Sequence, residues 1–453
     1  MNQSPSKSRW HKALLLSGAI AVTSGFYLFA PAWCRGVEAA LKDSPKTLID
    51  EVWQIVNHEY VDTAFNQVDW QATRKKLLSR NYTSPEQAYT AVREALKELG
   101  DPYTRFMDPT QYQALTNQTS GELSGIGVRL EINEKTKGIS ILEPIENSPA
   151  FKAGIQAGDK LLSIDGKPTK GMTLEQASAL IRGEVGTAIN LKLSRDNQGI
   201  LDLKLTRAQI ELPAVRYSVK QEGKIRVGYI RLTEFSSHSA TQMRRAIQQL
   251  NNQKVNAFVL DLRGNPGGLL YSSIEISRMW LETGAIVRTV DRKGENEEFK
   301  ANHTAITKLP LAVLVDGNSA SASEIVTGAL KDNRRATIVG SQTFGKALVQ
   351  SVHSLSDGSG LAVTVAHYYT PSGTDISHKG VTPDIKLDLS EQQQQELATN
   401  PTLLATQKDP QYVSAIATLK NIYLSESDVS PSVPSLSGAA VNSSVTGVSS
   451  SVK

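Results

Sequence analysis

Apolar residues change their spacing along the chain, and the change divides the chain into segments of different structure. Between 37 and 119 they recur every three or four residues, as in Leu48, Val52 and Val56, which is the spacing of amphipathic helices. We predict a helical region that packs or docks and carries no chemistry. Within it, the string Asp-Pro-Tyr-Thr-Arg-Phe at 101–106 is interpreted as a capped turn with aromatic anchors.

The pattern then shifts towards strands. From 120 to 207, short alternating strands and glycines surround one helix predicted at 174–182. From 208 to 390, β-branched apolar strands alternate with helices, which predicts an α/β layered core. A Gln-rich helical region at 391–425 is expected to pack back on the N-terminal helices. The Ser/Val/Pro-rich tail at 426–453 is expected to be disordered.

Residues 1–36 have the composition of a targeting segment. Lys7, Arg9 and Lys12 precede an apolar run at 13–30, and Ala-Pro-Ala follows at 30–32. This order is typical of a cleavable export signal, and a retained single-pass membrane anchor is the alternative because the run is just long enough to span. The whole chain is therefore predicted to be multidomain, of class α/β and α+β, behind a signal peptide or anchor.

Composition excludes few functions. The 453 residues are 40% hydrophobic and 21% charged, with a formal net charge of +4 and no long basic block, so nothing indicates a nucleic-acid partner. Cys34 is the only cysteine, so no intrachain disulfide can form. We interpret Cys34 as incidental, with lipidation as the less favoured alternative.

The stretch from 311 to 350 carries the candidate chemistry. An apolar strand at 311–315 is followed by turn residues, five small residues and a helix that starts near Glu324. Strand, tight turn and helix is an arrangement that presents one hydroxyl beside free backbone N–H groups. Ser321 lies at the centre of the turn, and the pattern alone leaves Ser319 and Ser323 open as well.

A serine needs a base, and Lys346 is the leading candidate. It lies between a glycine and an alternating strand at 347–352, where burial would lower the pKa of its amine. A second feature is the Arg-Gly-Asn-Pro-Gly-Gly string at 263–268, which follows a hydrophobic strand. It is either a plain turn or the source of a free N–H for an oxyanion site.

Other kinds of site fit less well. The string at 340–346 has the spacing of a phosphate-binding loop, but Ala347 replaces the required hydroxyl and a strand follows. A Ser-His-Asp site would use His353 or His367 with Asp357 or Asp384, and neither histidine lies in a motif. There is no His-Glu-x-x-His for zinc. A non-catalytic scaffold would leave the serine and lysine without a purpose.

One part of the chain resembles a PDZ domain. Gly-Ile-Gly-Val at 125–128 is weak by itself, but it precedes Ser-Pro-Ala at 148–150 and Gly-Asp-Lys-Leu-Leu-Ser-Ile-Asp-Gly at 158–166. Such domains add a peptide strand to a sheet edge and bind its terminal carboxylate with backbone N–H groups. The resemblance implies a groove beside the helix at 174–182, with the carboxylate held by Ser124, Gly125, Ile126 and Gly127.

Taken together, the motifs resemble those of carboxyl-terminal processing peptidases, the tail-specific serine proteases with a Ser–Lys dyad. These motifs are Asp-Pro-Tyr-Thr, the PDZ strings, Leu-Arg-Gly-Asn-Pro-Gly-Gly, Ser-Ala-Ser-Ala-Ser-Glu, Phe-Gly-Lys, Thr-Pro-Ser-Gly and Gly-Val-Thr-Pro-Asp. The resemblance implies that Ser321 is the nucleophile, Lys346 the general base and Gln350 the residue that positions the lysine. It implies oxyanion donors at the N–H of Gly267 and Ala322.

The same resemblance extends to partners and location. It implies that Arg182 couples the PDZ domain to an α/β-layer serine protease core, although an exposed arginine at a helix end is the plain alternative. The expected partners are protein substrates with free C-termini, and no metal or organic cofactor is required. The expected location is the periplasm or a thylakoid-type lumen, with membrane association if the anchor is retained. Substrate identity and oligomeric state stay open.

Overall fold

The structure, a computed structural model, describes residues 44–133, 137–196 and 198–428, with side chains through residue 425. The predicted signal or anchor at 1–36 lies outside the described residues, and so does the predicted tail apart from 426–428. A mixed helix-and-sheet architecture of several domains, with a helical N-terminal region, confirms the predicted fold class.

The N-terminal region is helical, as predicted, but it also contains one short strand. Its elements are α1 (Pro45–Glu59), α2 (Trp70–Ser79), α3 (Pro85–Glu98), β1 (Arg105–Met107) and α4 (Pro109–Ser120). Proline in the first turn of α1 and α3 supplies the fixed φ that a helix start prefers. The first three helices bury their apolar stripes against Leu361 and Val363, which belong to a strand near the other end of the chain. This region is therefore continuous with the core.

The next segment forms a small antiparallel sheet with one longer helix. In chain order the elements are β2 (Glu122–Gly125), β3 (Val128–Ile132), β4 (Ile139–Pro144), α5 (Pro149–Lys152), β5 (Lys160–Ile164), β6 (Lys167–Pro168), α6 (Leu174–Ile181), β7 (Ala188–Arg195), β8 (Gly199–Thr206) and β9 (Ala208–Glu211). The sheet order is β3-β4-β5-β7-β8, with β6 beside β5. Separately, β2 pairs antiparallel with β9, so this ribbon leads the chain into the small domain and out of it.

The core contains two sheets. Its elements are β10 (Val215–Glu222), β11 (Ile225–Leu232), α7 (Ser239–Asn252), β12 (Ala257–Asp261), α8 (Leu270–Trp280), β13 (Ala285–Asp291), β14 (Asn296–Lys300), β15 (Leu311–Val315), α9 (Ala322–Asp332), β16 (Thr337–Gly340), β17 (Leu348–Ser354), β18 (Gly360–Tyr369) and β19 (Ile385–Lys386). The first sheet has the order β10-β11-β12-β15-β16-β19 and is parallel except for β10. Helices α7, α8 and α9 cover one of its faces.

The second sheet joins the core to the N-terminal region. Its order is β1-β18-β13-β14, and β17 also pairs with β18. Arg105 of β1 lies opposite Ala362, and Gln350 of β17 lies opposite Thr364, both on β18. A strand from near residue 105 therefore shares a partner with the strand that follows Lys346.

The C-terminal region differs from the prediction in two ways. It is broken into α10 (Glu391–Thr399) and α11 (Pro410–Asp428), because prolines at 401 and 410 each start a new helical turn. The prediction that this region packs on the N-terminal helices is wrong. Tyr412, Ile416 and Leu419 of α11 pack instead on the second face of the parallel sheet, which would otherwise expose apolar strand residues to water.

Candidate active site

Two loops that the sequence analysis singled out lie side by side at one edge of the parallel sheet. β12 and β15 are neighbouring parallel strands, so the loops that follow them leave from the same edge. Gly264 N–H donates to Asp316 Oδ1 at 2.9 Å, and Ala320 N–H donates to the Asn265 carbonyl at 3.1 Å. The glycine loop and the serine turn thus form one hydrogen-bonded unit.

The structure distinguishes the three serines of the turn. Ser319 and Ser323 are fully buried, and their hydroxyls donate to the carbonyls of Leu262 and Asn265, each at 2.9 Å. Ser321 instead lines an open cleft and caps α9 with φ 55° and ψ −114°. A positive φ is strained for a residue with a Cβ, and such strain is typical of functional turns. Among these three hydroxyls, only that of Ser321 is placed for chemistry.

Lys346 lines the same cleft as Ser321. Burial lowers the pKa of its amine, and the charge of Arg105 lowers it further, while Asp101 and Glu324 oppose these effects. Among the described residues, no carboxylate forms an ion pair with Lys346 Nζ, and Lys346 Nζ makes no hydrogen bond to Ser321 Oγ. Lys346 is half-buried. Because its pKa is lowered, its amine is neutral more often than the amine of an ordinary lysine.

A fully buried carboxylate, that of Glu324, joins the serine turn to the lysine loop. Its Oε2 accepts from Ser321 N–H at 2.8 Å and from Lys346 N–H at 2.9 Å. Its Oε1 accepts from Thr343 Oγ1 at 2.6 Å and from Gly345 N–H at 2.7 Å. All four contacts are bonds that the carboxylate accepts, so one side chain sets the position of both backbone segments.

A second link between the same segments comes from β18. The hydroxyl of buried Tyr368 lies 2.5 Å from the Lys346 carbonyl oxygen and 3.1 Å from the Ser321 carbonyl oxygen.

The two backbone N–H groups nearest Ser321 differ in whether they already have a hydrogen-bond acceptor. Ala322 is the first residue of α9, where a backbone N–H has no intrahelical acceptor. Gly267 approaches Ser321 closely, but its N–H donates to Asn265 Oδ1 at 2.9 Å.

Gln350 also lines the cleft, and its Nε2 is buried and has no hydrogen-bond partner among the residues that the structure describes. The cleft measures about 240 Å³, and most of its other walls are apolar. The apolar lining residues are Leu115, Pro266, Leu269, Leu270, Ala322, Ile325, Leu348, Val349, Val352 and Ala362. A cleft of this kind can accept an extended apolar segment beside the serine and the lysine.

The four residues predicted to hold a carboxylate lie together in the small domain. Ser124, Gly125, Ile126 and Gly127 line a groove of about 80 Å³ beside α6. Ile126 is fully buried, and Gly127 has φ 78°, a turn conformation that glycine adopts readily. Arg182 is exposed at the C-terminal end of α6 and lines this groove.

The competing sites are not assembled. His353 Nε2 lies 2.8 Å from Glu59 Oε2, and neither it nor His367 lines the cleft with Ser321. The string at 340–346 is followed by β17 rather than by a helix. Within residues 44–133, 137–196 and 198–428, no group of three His, Cys, Asp or Glu side chains is arranged to bind a metal. In the same residues, no helix has both the length and the apolar character needed to span a membrane.

Comparison with known proteins identifies the family. A profile of Peptidase family S41 matches residues 226–387, and a PDZ domain profile matches residues 140–195. The carboxyl-terminal-processing protease of Synechocystis sp. is 44% identical over 348 residues, which cover 76% of this chain and 81% of that protein. The chain belongs to the carboxyl-terminal-processing proteases of family S41.

Further relatives come from chloroplasts. Carboxyl-terminal-processing peptidase 3, chloroplastic, of Arabidopsis thaliana is 35% identical over 390 residues, covering 81% of this chain and 75% of that protein. Among solved structures, a photosystem II D1 C-terminal processing protease matches with 35% identity and a TM-score of 0.51. That match covers 82% of this chain and 99% of the other. The resemblance to the carboxyl-terminal processing family is thus confirmed.

Sequence reasoning missed three residues of this protease's cleft and its surroundings. Tyr103 and Arg105 line the cleft, although they belong to the N-terminal region, which was predicted to pack or dock and to carry no chemistry. Their signal was the Asp-Pro-Tyr-Thr-Arg-Phe string at 101–106, which is more specific than a turn requires. Glu324 was interpreted only as an acid in the first turn of a helix. The feature of the sequence that could have indicated its role is that Glu324 is a charged residue among neighbours that are otherwise apolar or small.

Proposed function

We propose that this chain is an exported serine endopeptidase that holds the C-terminus of a protein substrate on its PDZ domain and cleaves near that C-terminus. Ser321 is the nucleophile and Lys346 the general base. The observation that carries the proposal is that both residues line one apolar cleft, the serine on a strained helix cap and the lysine without an acidic partner on its amine. Membership of family S41 supports the same chemistry.

The reaction needs only these two side chains and water. Neutral Lys346 takes the proton from Ser321 Oγ as that oxygen attacks the scissile carbonyl carbon. The carbon–nitrogen bond then breaks, the lysine ammonium gives its proton to the leaving amine, and an ester joins the serine to the remaining chain. Lys346 next activates a water that hydrolyses the ester. No metal or organic cofactor enters these steps.

The negative charge that forms on the carbonyl oxygen requires donors. Ala322 N–H, at the start of α9, supplies one donor and the positive end of the helix dipole. Gly267 N–H is the proposed second donor, and it must then give up or share its bond to Asn265 Oδ1. Gln350 carries a buried Nε2 without a partner in the cleft and is proposed to position the lysine once substrate is bound.

The PDZ domain is proposed to select the substrate end. The groove beside α6 is proposed to accept an added peptide strand. Backbone N–H groups at 124–127, where β2 ends, are proposed to bind its terminal carboxylate. Arg182, on the rim of the same groove, is proposed to couple this binding to the protease core. The chain is proposed to be exported to a periplasm or thylakoid-type lumen. The targeting pattern at 1–36 supports export, and the name of one relative is chloroplastic.

The test compares variants of the full chain in a digest of a protein that ends in an apolar, unstructured tail. Ser321→Ala and Lys346→Ala are each expected to abolish cleavage. Lys346→Arg is expected to be inactive as well, because a guanidinium group does not lose its proton near neutral pH. Full activity of Lys346→Arg would contradict the assignment of the base.

The role of the PDZ groove has its own test. The same tailed substrate is prepared with a free C-terminal carboxylate and with a C-terminal amide. We expect slower cleavage of the amide, mainly through a higher KM, because the amide offers no charge to the backbone N–H groups at 124–127. Equal kcat/KM for the acid and the amide would remove carboxylate recognition from the mechanism.

A further inference from the structure

The turn that follows α3 is fixed against the core by buried hydroxyl groups. Asp101 Oδ2 accepts from Thr104 Oγ1 at 2.7 Å and from Thr364 Oγ1 at 2.6 Å, and Thr104 Oγ1 accepts from Thr364 N–H at 3.0 Å. Both threonines are buried. Asp101 Oδ1 accepts from the N–H of Tyr103 at 2.9 Å. The backbone around residue 103 is therefore anchored to β18 from both sides.

This anchoring places two side chains of the N-terminal region beside the proposed base. The Lys346 amine lies 4.6 Å from the centre of the Tyr103 ring, within the range of a cation–π contact. Arg105 lines the same cleft and pairs through β1 with β18. No ion pair involving Arg105 is present among the described residues, so its charge is not neutralised locally.

We propose that the turn at 101–105 is part of the catalytic site and that Tyr103 and Arg105 are positioning residues for Lys346. The inference rests on the proposed function, because it assigns a role to these residues only if Lys346 is the base. Tyr103 covers the amine with its ring face, and Arg105 opposes the charge of the resting ammonium. Arg105 thereby favours the neutral amine that can accept the serine proton, and the Tyr103 ring face stabilises the ammonium that forms once the proton is accepted.

The surroundings of Lys346 account for this division of roles. The groups that face it are Arg105 on β1, Asp101 and Tyr103 on the turn, Glu324 on α9 and Tyr368 on β18. Both carboxylates are already engaged by hydroxyl or N–H donors and neither pairs with the amine. When the lysine accepts the serine proton, the ammonium that forms has the Tyr103 ring face as its nearest stabilising group.

Tyr103 is tested by Tyr103→Leu and Tyr103→Phe in the full chain, with kcat and KM measured on a quenched fluorescent peptide that has a free C-terminus. A cation–π contact of about 0.5–2 kcal/mol corresponds to about a 2- to 30-fold rate effect. We expect Tyr103→Leu to lower kcat within this range with little change in KM. Tyr103→Phe keeps the ring face and is expected to recover most of the loss. Equal kcat losses in the two variants would contradict the ring-face role.

Arg105 is tested through the pH profile. Removing its charge in Arg105→Gln is expected to move the acid limb of kcat/KM to higher pH, because the ammonium of Lys346 then loses a repulsive neighbour. Arg105 is exposed, so at a pH on that limb we expect a loss of roughly two- to five-fold, smaller in high salt. Arg105→Lys retains the charge and should retain the profile. An unmoved limb in Arg105→Gln would overturn the role of Arg105.

Failure of the inference is separable from failure of the proposed function. Ser321→Ala and Lys346→Ala are assayed in the same series, and thermal unfolding confirms that each variant is folded. Activity in Lys346→Ala would refute the proposed function and the inference together. Inactive Ser321→Ala and Lys346→Ala, combined with wild-type behaviour of Tyr103→Leu and Arg105→Gln, would refute the inference alone.

Discussion

Replacing Glu324 by glutamine should weaken both the fold and the catalysis, and the structure gives the size of the effect. The carboxylate accepts two hydrogen bonds on each oxygen, and the four donors are Ser321 N–H, Lys346 N–H, Gly345 N–H and Thr343 Oγ1. A glutamine keeps one oxygen and presents an NH₂ group to the other pair of donors. Whichever way the amide turns, two donors lose their acceptor.

The magnitude follows from hydrogen bonds to a charged group. Each lost bond costs about 1.5–3 kcal/mol, so two cost about 3–6 kcal/mol. Removing a buried charge recovers part of this, because an ion without a counter-ion is expensive to bury. We therefore expect Glu324→Gln to lower the free energy of unfolding by about 2–4 kcal/mol, which leaves a domain of ordinary stability folded.

The substitution should also slow catalysis in the molecules that stay folded. Glu324 holds the backbone of Ser321 and of Lys346 on one oxygen, and a small misplacement of catalytic groups costs up to about 100-fold in rate. We expect kcat/KM to fall at least 10-fold for the folded variant, at the level of the chemical step.

Urea unfolding and steady-state cleavage of a tailed substrate measure the two effects. Glu275→Gln is the matched control, because Glu275 is a half-exposed carboxylate on α8 paired with Arg278 at 2.6 Å. Its expected change in stability is within about 0.5 kcal/mol. If Glu324→Gln behaves like Glu275→Gln in both assays, the carboxylate does not hold the dyad together and the reasoning is refuted.

Three further predictions concern buried charges. Arg263→Ala should lower the free energy of unfolding by about 3–5 kcal/mol in urea titrations, because buried Arg263 donates to both Asp261 and Asp409; a wild-type midpoint would contradict this. Burial raises the pKa of Asp261, but the charge of Arg263 outweighs it and holds that pKa below its usual range. The contribution of Asp261 to stability is thus present above about pH 4, the unfolded pKa, and is lost as pH falls through the lower pKa of the folded state. Urea unfolding midpoints measured at about pH 6 and about pH 3 test this loss. For activity, kcat/KM should rise with pH along a limb below the ordinary lysine value of about 10.4, because burial lowers the pKa of Lys346; a limb at or above that value would exclude a base with a lowered pKa.

Most of the core could be predicted from the sequence because its signals are local. The strand predicted at 311–315 has those bounds in the structure, and all five of its residues are buried, so an uninterrupted apolar run was sufficient. Among the short alternating strands predicted between 120 and 207, the alternating stretches 189–193 and 201–205 lie within β7 and β8 for a similar reason, since strict alternation matches a half-buried sheet. Local patterns of this kind decide element type before any tertiary contact is known.

The remaining features depend on contacts between distant parts of the chain. Tyr103 reaches Lys346 because β1 pairs with β18 and because Asp101 and Thr104 bond to Thr364. No periodicity within 101–106 reports such a pairing. The C-terminal helices were misplaced for the same reason, because an amphipathic stripe shows that a helix is covered and does not show which sheet covers it.

The position of Lys346, the proposed base, explains why the proposed active site includes an N-terminal segment. The serine turn and the glycine loop belong to the parallel sheet, but Lys346 lies between β16 of that sheet and β17 of the second sheet. A lysine at such a junction would be exposed to water if the core ended there, and an exposed lysine is charged at neutral pH and cannot act as a base. The turn at 101–105, next to β1, brings the Tyr103 ring within 4.6 Å of the amine, and Tyr103 and Arg105 line the cleft beside it. The boundary predicted between 119 and 120 therefore separates stretches of sequence with different periodicity, while the proposed catalytic site has residues from both sides of it.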